Sequence, residues 1–210
     1  MKEGLFISLE GPDGSGKSTQ LVVIEKFLSG KKLNTVITRE PGGTGISEKI
    51  RELLLDKCNI EMDGRTEALL YAAARAQLVG EVIKPALARG DIVVCDRFID
   101  SSIAYQGYGR NLGEHVRNIN EFAVAGCMPD ITFLFKLDPK IGKLRIGNES
   151  RDRLESEQAD FFESVLNGYA ELERLYPERI VGIDASCSIE EVSEKVRSRL
   201  DAILKEKYDI

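Results

Sequence analysis

The 210-residue chain has no excess of basic charge, no long hydrophobic run and few cysteines, and each lack removes a class of protein. With 35 acidic residues against 29 basic ones and a net charge of −6, it is not expected to coat nucleic acid, although a local anion site remains open to it. The apolar stretch after Gly4 soon meets Glu10 and Gly11, too early for a secretory h-region or a membrane span. The expected location is therefore the cytoplasm, with neither membrane nor nucleic acid as partner. Cys58, Cys95, Cys127 and Cys187 lie tens of residues apart, so no CxxC pair exists for zinc. A chain of this length buries enough core to fold without disulfides, and reduced thiols are expected. His115 is the only histidine and falls outside every motif described below. No repeat, low-complexity tract or Pro/Gly/Ser linker divides the chain, so 1–210 is expected to form a single domain.

Short apolar runs at 5–9, 35–38, 92–95, 131–137 and 179–183 have the length and the Ile/Val/Leu/Phe content of buried strands. Between them, apolar residues recur at helical spacing, as in Leu21, Ile24, Phe27 and Leu28, and again in Leu69, Leu70, Ala73, Leu78 and Ile83. A closing amphipathic helix is predicted over 189–207. Strands alternating with helices predict an α/β fold: a five-stranded parallel sheet with helices on both faces and functional residues just beyond the strand ends.

After the first strand comes GPDGSGKS at 11–18, in which Gly11, Gly16, Lys17 and Ser18 fit GxxxxGK[ST] and a helical pattern follows. This is a phosphate-binding loop in its proper context, so the architecture expected is that of a P-loop NTPase. Glycines let several N–H groups point inward, the helix adds the positive end of its dipole, Lys17 supplies a mobile cation and Ser18 a ligand for Mg²⁺. The third strand ends in Asp96-Arg97, which puts the Asp96 carboxylate beside that loop as a further candidate for Mg²⁺.

A guanine-reading switch would normally carry NKxD, and no Asn here is followed by Lys. Small kinases instead need a second phosphate site and arginines to neutralise the charge gathered during transfer. Arg39 and Arg97 follow strands, Arg75 lies in a long helical segment, and Arg151 and Arg153 sit in RIGNESRDRLE.

Together, EGPDGSGKSTQ (10–20), TREPGGT (38–44), YAAARAQL (71–78), DRFIDSSIAYQGYGR (96–110), PDITFLFKLD (129–138) and DRLESEQADFFESVLNGY (152–169) resemble the bacterial type of thymidylate kinase, over essentially the whole chain. The resemblance implies transfer of the γ-phosphoryl group of Mg·ATP to dTMP, giving dTDP and ADP, by a homodimer. It implies that Gly11, Pro12, Asp13, Gly14, Ser15, Gly16, Lys17, Ser18 and Thr19 hold ATP. Arg97 would bridge donor and acceptor phosphates, Arg39 would hold the dTMP phosphate, and Asp13 would accept a hydrogen bond from the sugar 3′-hydroxyl. Glu40 would either organise Mg²⁺ and its waters or fix Arg39. Tyr71 would stack on thymine, where many relatives have Phe, and Arg75 would donate to its O4. Arg51 would cover the other face, Ser102 and Gln106 would lie near the imide, and Tyr105 would crowd a ribose 2′-hydroxyl.

The variable P-loop positions 12–15 carry no basic residue, whereas Lys143, Arg145, Arg151 and Arg153 populate a later segment. That segment, about 142–154, is expected to be a small lid that brings Arg153 or Arg151 to the transferring phosphoryl group. The turn at 184–188 is the expected site of part of the adenine contacts. Two other readings stay open at this stage: a kinase for another nucleotide, and an ATP-binding switch that acts through a partner.

Overall fold

A computed structural model describes residues 4–147, 153–154 and 157–209. Its centre is a five-stranded parallel sheet: β1 (Leu5–Glu10), β2 (Thr35–Arg39), β3 (Ile92–Asp96), β4 (Ile131–Lys136) and β5 (Ile180–Asp184), in the order β2-β3-β1-β4-β5. The helices are α1 (Lys17–Gly30), α2 (Gly45–Leu55), α3 (Gly64–Leu78), α4 (Lys84–Ala88), α5 (Ile99–Ser102), α6 (Glu114–Val124), α7 (Pro139–Ile146), α8 (Ala159–Leu175) and α9 (Ile189–Tyr208). A π-helical turn, Val79–Ile83, joins α3 to α4, and another, Ile103–Gly109, continues α5.

Alternation along β1 divides the core. Leu5, Ile7 and Leu9 point to the side covered by α1 and α9, packing on Ile24, Leu28, Val196 and Leu200. Phe6 points to the side covered by α3 and α8, against Phe98, Leu78 and Leu172. A parallel sheet buried on both faces must satisfy both, which is why its strands read as nearly unbroken apolar runs.

β1, β2, β3 and β5 each end one residue later than expected from hydrophobicity, and β4 ends one residue earlier, at Lys136. β2 ends at Arg39 and β3 at Asp96, and these polar residues are direct register partners. Leu9 of β1 also pairs with Asp96, so the P-loop, the Arg39 turn and the Asp96-Arg97 turn leave the sheet side by side. β5 starts at Ile180 rather than at Arg179, because the Arg179 side chain is drawn inward by Asp100 at 2.6 and 2.7 Å.

The apolar face expected for α3 is corrected. Leu69 and Ala73 are exposed, whereas Glu67 and Arg75 are buried. Leu78 and Ile83 are buried as expected, together with Ala68, Ala72 and Ala74, so the departure lies in Glu67 and Arg75, whose burial spacing alone could not show because polar partners on other elements compensate it. His115 is exposed at the start of α6, away from the strand ends.

Candidate active site

Beyond the carboxyl ends of the strands opens a cleft of about 790 Å³, lined from one end by the P-loop and from the other by α2, α3 and the α5 region. Gly11, at φ 134°, lets the chain turn where a side chain would strike the carbonyl of Phe135, and Gly16, at φ 91°, is the left-handed N-cap from which α1 rises. Lys17 opens α1 and folds back to donate to the carbonyls of Gly11 and Pro12, both at 3.0 Å. Burial, with help from Arg97, pushes its pKa down to about 8. Of the loop residues expected to hold ATP, those from Asp13 to Thr19 line the cleft, whereas Gly11 and Pro12 are buried and do not.

Arg97 joins the two ends. Its backbone is left-handed, at φ 68°, a conformation that costs ~1–2 kcal/mol for a residue with a side chain. Its Nη2 donates to Asp13 Oδ1 at 2.6 Å, and its guanidinium lies 5.3 Å from the centre of the Tyr105 ring. Burial pushes the Asp13 carboxyl up, but Arg97 and Lys17 outweigh it and hold its pKa below the usual aspartate value. Tyr105 keeps a buried hydroxyl without a hydrogen-bond partner, and burial raises its pKa to about 12.

Arg75 is the largest fully buried side chain, at 1% exposure. Its Nη1 donates to Ser102 Oγ at 2.9 Å and to Asn120 Oδ1, and its Nη2 donates to the Phe98 carbonyl at 3.0 Å and to Glu40 Oε2. Nε alone lacks a partner. Glu40 therefore fixes Arg75 and not Arg39, which corrects one of its two expected roles. Arg39 instead donates to Glu48 Oε2 at 2.9 Å, and Glu48 Oε1 accepts from Gly43 N at 2.7 Å. Arg51 donates to the carbonyl of Pro41 at 2.9 Å, and Tyr71 stands half-buried in the same wall. Gln106 Nε2 donates to Glu67 Oε1 at 2.9 Å.

The residues expected to hold metal all line the cleft. Asp96 Oδ1 and Glu40 Oε1 are buried without hydrogen-bond partners, and Ser18 is exposed to the cleft. Burial raises the Glu40 pKa to about 7, a cost that a nearby cation would relieve. Among the described residues no cluster of three or more His, Cys, Asp or Glu forms a metal cage by itself. Two carboxylates and a hydroxyl fit Mg²⁺, which takes few protein ligands and completes its shell with phosphate oxygens and water.

The expectation for the lid arginines needs correction. Arg153 is buried and donates to Glu67 Oε2 at 2.6 Å and to the Leu54 carbonyl at 3.0 Å, away from the P-loop. Glu67, itself wholly buried, draws cations from both sides, since Arg110 also reaches it at 3.0 Å. Arg151 lies outside the described residues. The arginine of this segment at the P-loop is Arg145 on α7, which donates to Gly14 O at 3.4 Å and, through two nitrogens at 3.1 Å each, to Ala185 O. Ala185, Cys187 and Ser188 line the cleft there, in the turn where adenine contacts were expected. Leu55, Leu154 and Phe162 complete the wall near Tyr71, and motif reading did not single them out.

Comparison with known proteins agrees with this geometry. The family model described as thymidylate kinase matches residues 9–196. The thymidylate kinase of Clostridium novyi (strain NT) is 49% identical over 204 residues, covering 95% of this chain and 100% of that protein. That of Lactobacillus helveticus (strain DPC 4571) is 51% identical over 212 residues, covering 98% and 99%. The crystal structure of thymidylate kinase from Ehrlichia chaffeensis superposes with a TM-score of 0.75 at 33% identity, covering 94% of this chain and 99% of that one.

Proposed function

The chain belongs to the thymidylate kinase family, and from that membership and the cleft we propose how it works. It is an ATP-dependent nucleotide kinase that moves the γ-phosphoryl group of ATP to dTMP. A phosphate oxygen of dTMP attacks the γ-phosphorus, the bond to the β–γ bridging oxygen breaks, and dTDP and ADP leave. The acceptor oxygen is already ionised, so no general base and no covalent intermediate are needed. The protein's task is to bring two anions together and neutralise them. Lys17 leaves the loop carbonyls for the β- and γ-phosphates, while the loop N–H groups hold the chain of phosphates against the start of α1. Ser18, Asp96 and Glu40 would hold Mg²⁺, which supplies further charge neutralisation when bound. Arg145 and the turn around Ala185 enclose adenine.

On the acceptor side, Arg39 takes the dTMP phosphate and Asp13 the sugar 3′-hydroxyl. Tyr71 and Arg51 cover the two faces of thymine, Arg75 offers its remaining N–H to O4, and Tyr105 fills the space a 2′-hydroxyl would need. Because Gln106 spends its amide nitrogen on Glu67, its oxygen is left to accept the imide N–H, which cytosine lacks. The observation that carries this reading is the contact between Arg97 and Asp13, which ties the residue bridging both phosphates to the P-loop itself.

The active form is a homodimer. Supporting this, Leu69, Ala73 and Ala76 form an exposed stripe on α3, and Phe122 on the adjoining α6 is 88% exposed. We place the enzyme in the cytoplasm, in keeping with its four free cysteines; no helix among the described residues is long and apolar enough to cross a membrane. The test is ADP formation from Mg·ATP with dTMP, dUMP, dCMP, dAMP and the ribose forms. Strong preference for dTMP is expected. Preference for another monophosphate would overturn the base pocket, and slow hydrolysis indifferent to the acceptor would overturn the kinase chemistry.

A further inference from the structure

Glu10 takes no part in the chemistry above, yet it closes β1 immediately before the P-loop and is wholly buried. Its Oε1 accepts from the backbone N–H of Phe98 at 2.8 Å and of Ser101 at 3.3 Å. Its Oε2 accepts from Ser101 Oγ at 2.5 Å and from Tyr169 OH at 2.9 Å. The same two hydroxyls face Arg97, whose Nη1 stands 3.2 Å from Ser101 Oγ and 3.4 Å from Tyr169 OH. Each hydroxyl has one hydrogen. With both hydrogens directed to Glu10, both oxygens turn lone pairs toward the guanidinium. Asp100, the other carboxylate close to Glu10, is engaged elsewhere, accepting from Arg179 and Thr132.

We propose that Glu10 is a positioning residue for phosphoryl transfer: it orients the Ser101 and Tyr169 hydroxyls so that they hold the Arg97 guanidinium between donor and acceptor phosphates. The role of Arg97 in this statement rests on the thymidylate kinase reading; the holding of its side chain does not. A guanidinium on a left-handed backbone residue has a long, flexible stem, and a site of this kind works only when a supporting layer fixes the rotamer. Asp13 fixes one nitrogen from the P-loop side, and the Glu10-directed hydroxyls fix the other from the α5 and α8 side.

The test uses Glu10→Gln, which keeps the size but replaces an acceptor with a donor, and Tyr169→Phe, which removes one hydroxyl and keeps the ring. Assays run at pH 8, above the value of about 7 to which burial, reinforced by Asp100, raises Glu10. Glu10→Gln is expected to lower kcat by about tenfold or more while KM for ATP stays within about threefold. In ¹⁵N-arginine spectra of the free enzyme, rotation of the Arg97 guanidinium should be slow in the native chain and fast in both variants. The double variant should lose no more than about twofold beyond Glu10→Gln, since both changes break one contact. Native kcat in Glu10→Gln, unchanged Arg97 rotation, or losses that multiply would each overturn the proposal; a lowered thermal midpoint with native kcat and rotation would mark Glu10 as structural only. Should Glu10→Gln fail to fold, Tyr169→Phe and Ser101→Ala carry the same spectroscopic test. Failure of the kinase reading shows separately, as a native chain that does not turn over dTMP, and the Arg97 spectra still decide the positioning.

Discussion

Lys17 and Arg75 illustrate two ways in which one buried cation serves the site. Lys17 rests on two carbonyls that it would leave for ATP in the proposed mechanism, so Lys17→Ala should fold normally and lose on the order of a hundredfold or more in kcat. Circular dichroism beside a turnover assay checks both halves; near-native kcat would remove Lys17 from the chemistry. Arg75 is different, because Glu40 stands buried against it. Arg75→Ala leaves that carboxylate uncompensated, which should cost about 3–5 kcal/mol of stability in addition to weakening dTMP binding. Denaturant unfolding and dTMP titration measure the two effects. An unaffected stability would mean that Glu40 finds another partner, and weakened binding of ATP alone would refute the base-site assignment.

At the scale of elements, the π-helical turn after α5 and the helix α7 both contribute residues to the cleft, Tyr105 and Gln106 from the one and Arg145 from the other. The π-helical turn carries Tyr105 and Gln106 into the acceptor side together. Tyr105→Ala should relax discrimination against the ribose form of the substrate, whereas Tyr105→Phe should preserve it, because exclusion depends on the ring. An unchanged ratio of deoxyribose to ribose turnover in the alanine variant would contradict the exclusion argument. The five strands to within a residue at each end, the P-loop, and Arg39 and Arg97 at the ends of β2 and β3 were legible in the sequence, since each is a local pattern of residue type against apolar period. Partner choice was not. Glu40 was a candidate partner for Arg39, but tertiary packing gives it Arg75, thirty-five positions away, and gives Arg39 to Glu48. Likewise Arg153 was expected at the transferring phosphoryl group, while wholly buried Glu67 claims that side chain and leaves Arg145 at the P-loop. On α3 the apolar period located Leu78 inside but not Glu67 and Arg75, because the partners that compensate their burial, Gln106, Arg110, Ser102 and Glu40, come from other elements.

For the molecule as a whole, function is set against stability through buried carboxylates. Burial raises both Glu10 and Glu40 from 4.5 to about 7. Between those values the folded chain binds more protons than the unfolded one, so stability should fall as pH rises from about 4.5 to about 7 and then level off as far as these groups are concerned. Each group contributes on the order of 3 kcal/mol to that fall. Glu67 and Asp13, whose pKa values lie below their ordinary ones despite burial, act in the opposite sense only at more acidic pH. Thermal midpoints recorded across this range should therefore decline toward neutrality, and Glu10→Gln should flatten the slope; a midpoint that rises from pH 5 to 7 would contradict the assignment. Subunit association belongs to this scale too. Phe122→Glu should shift sedimentation from dimer to monomer, and an unchanged sedimentation coefficient would place the interface elsewhere.

In the proposed mechanism catalysis consists of holding two phosphates in line and neutralising them, with Arg97 as the group common to both. The most direct measurement is single-turnover phosphoryl transfer in Arg97→Ala with Mg·ATP and dTMP both saturating, alongside equilibrium binding of each nucleotide. The expected result is a fall of about a thousandfold in the transfer rate, with each dissociation constant changed by less than about tenfold. A transfer rate within a few-fold of the native enzyme would contradict it.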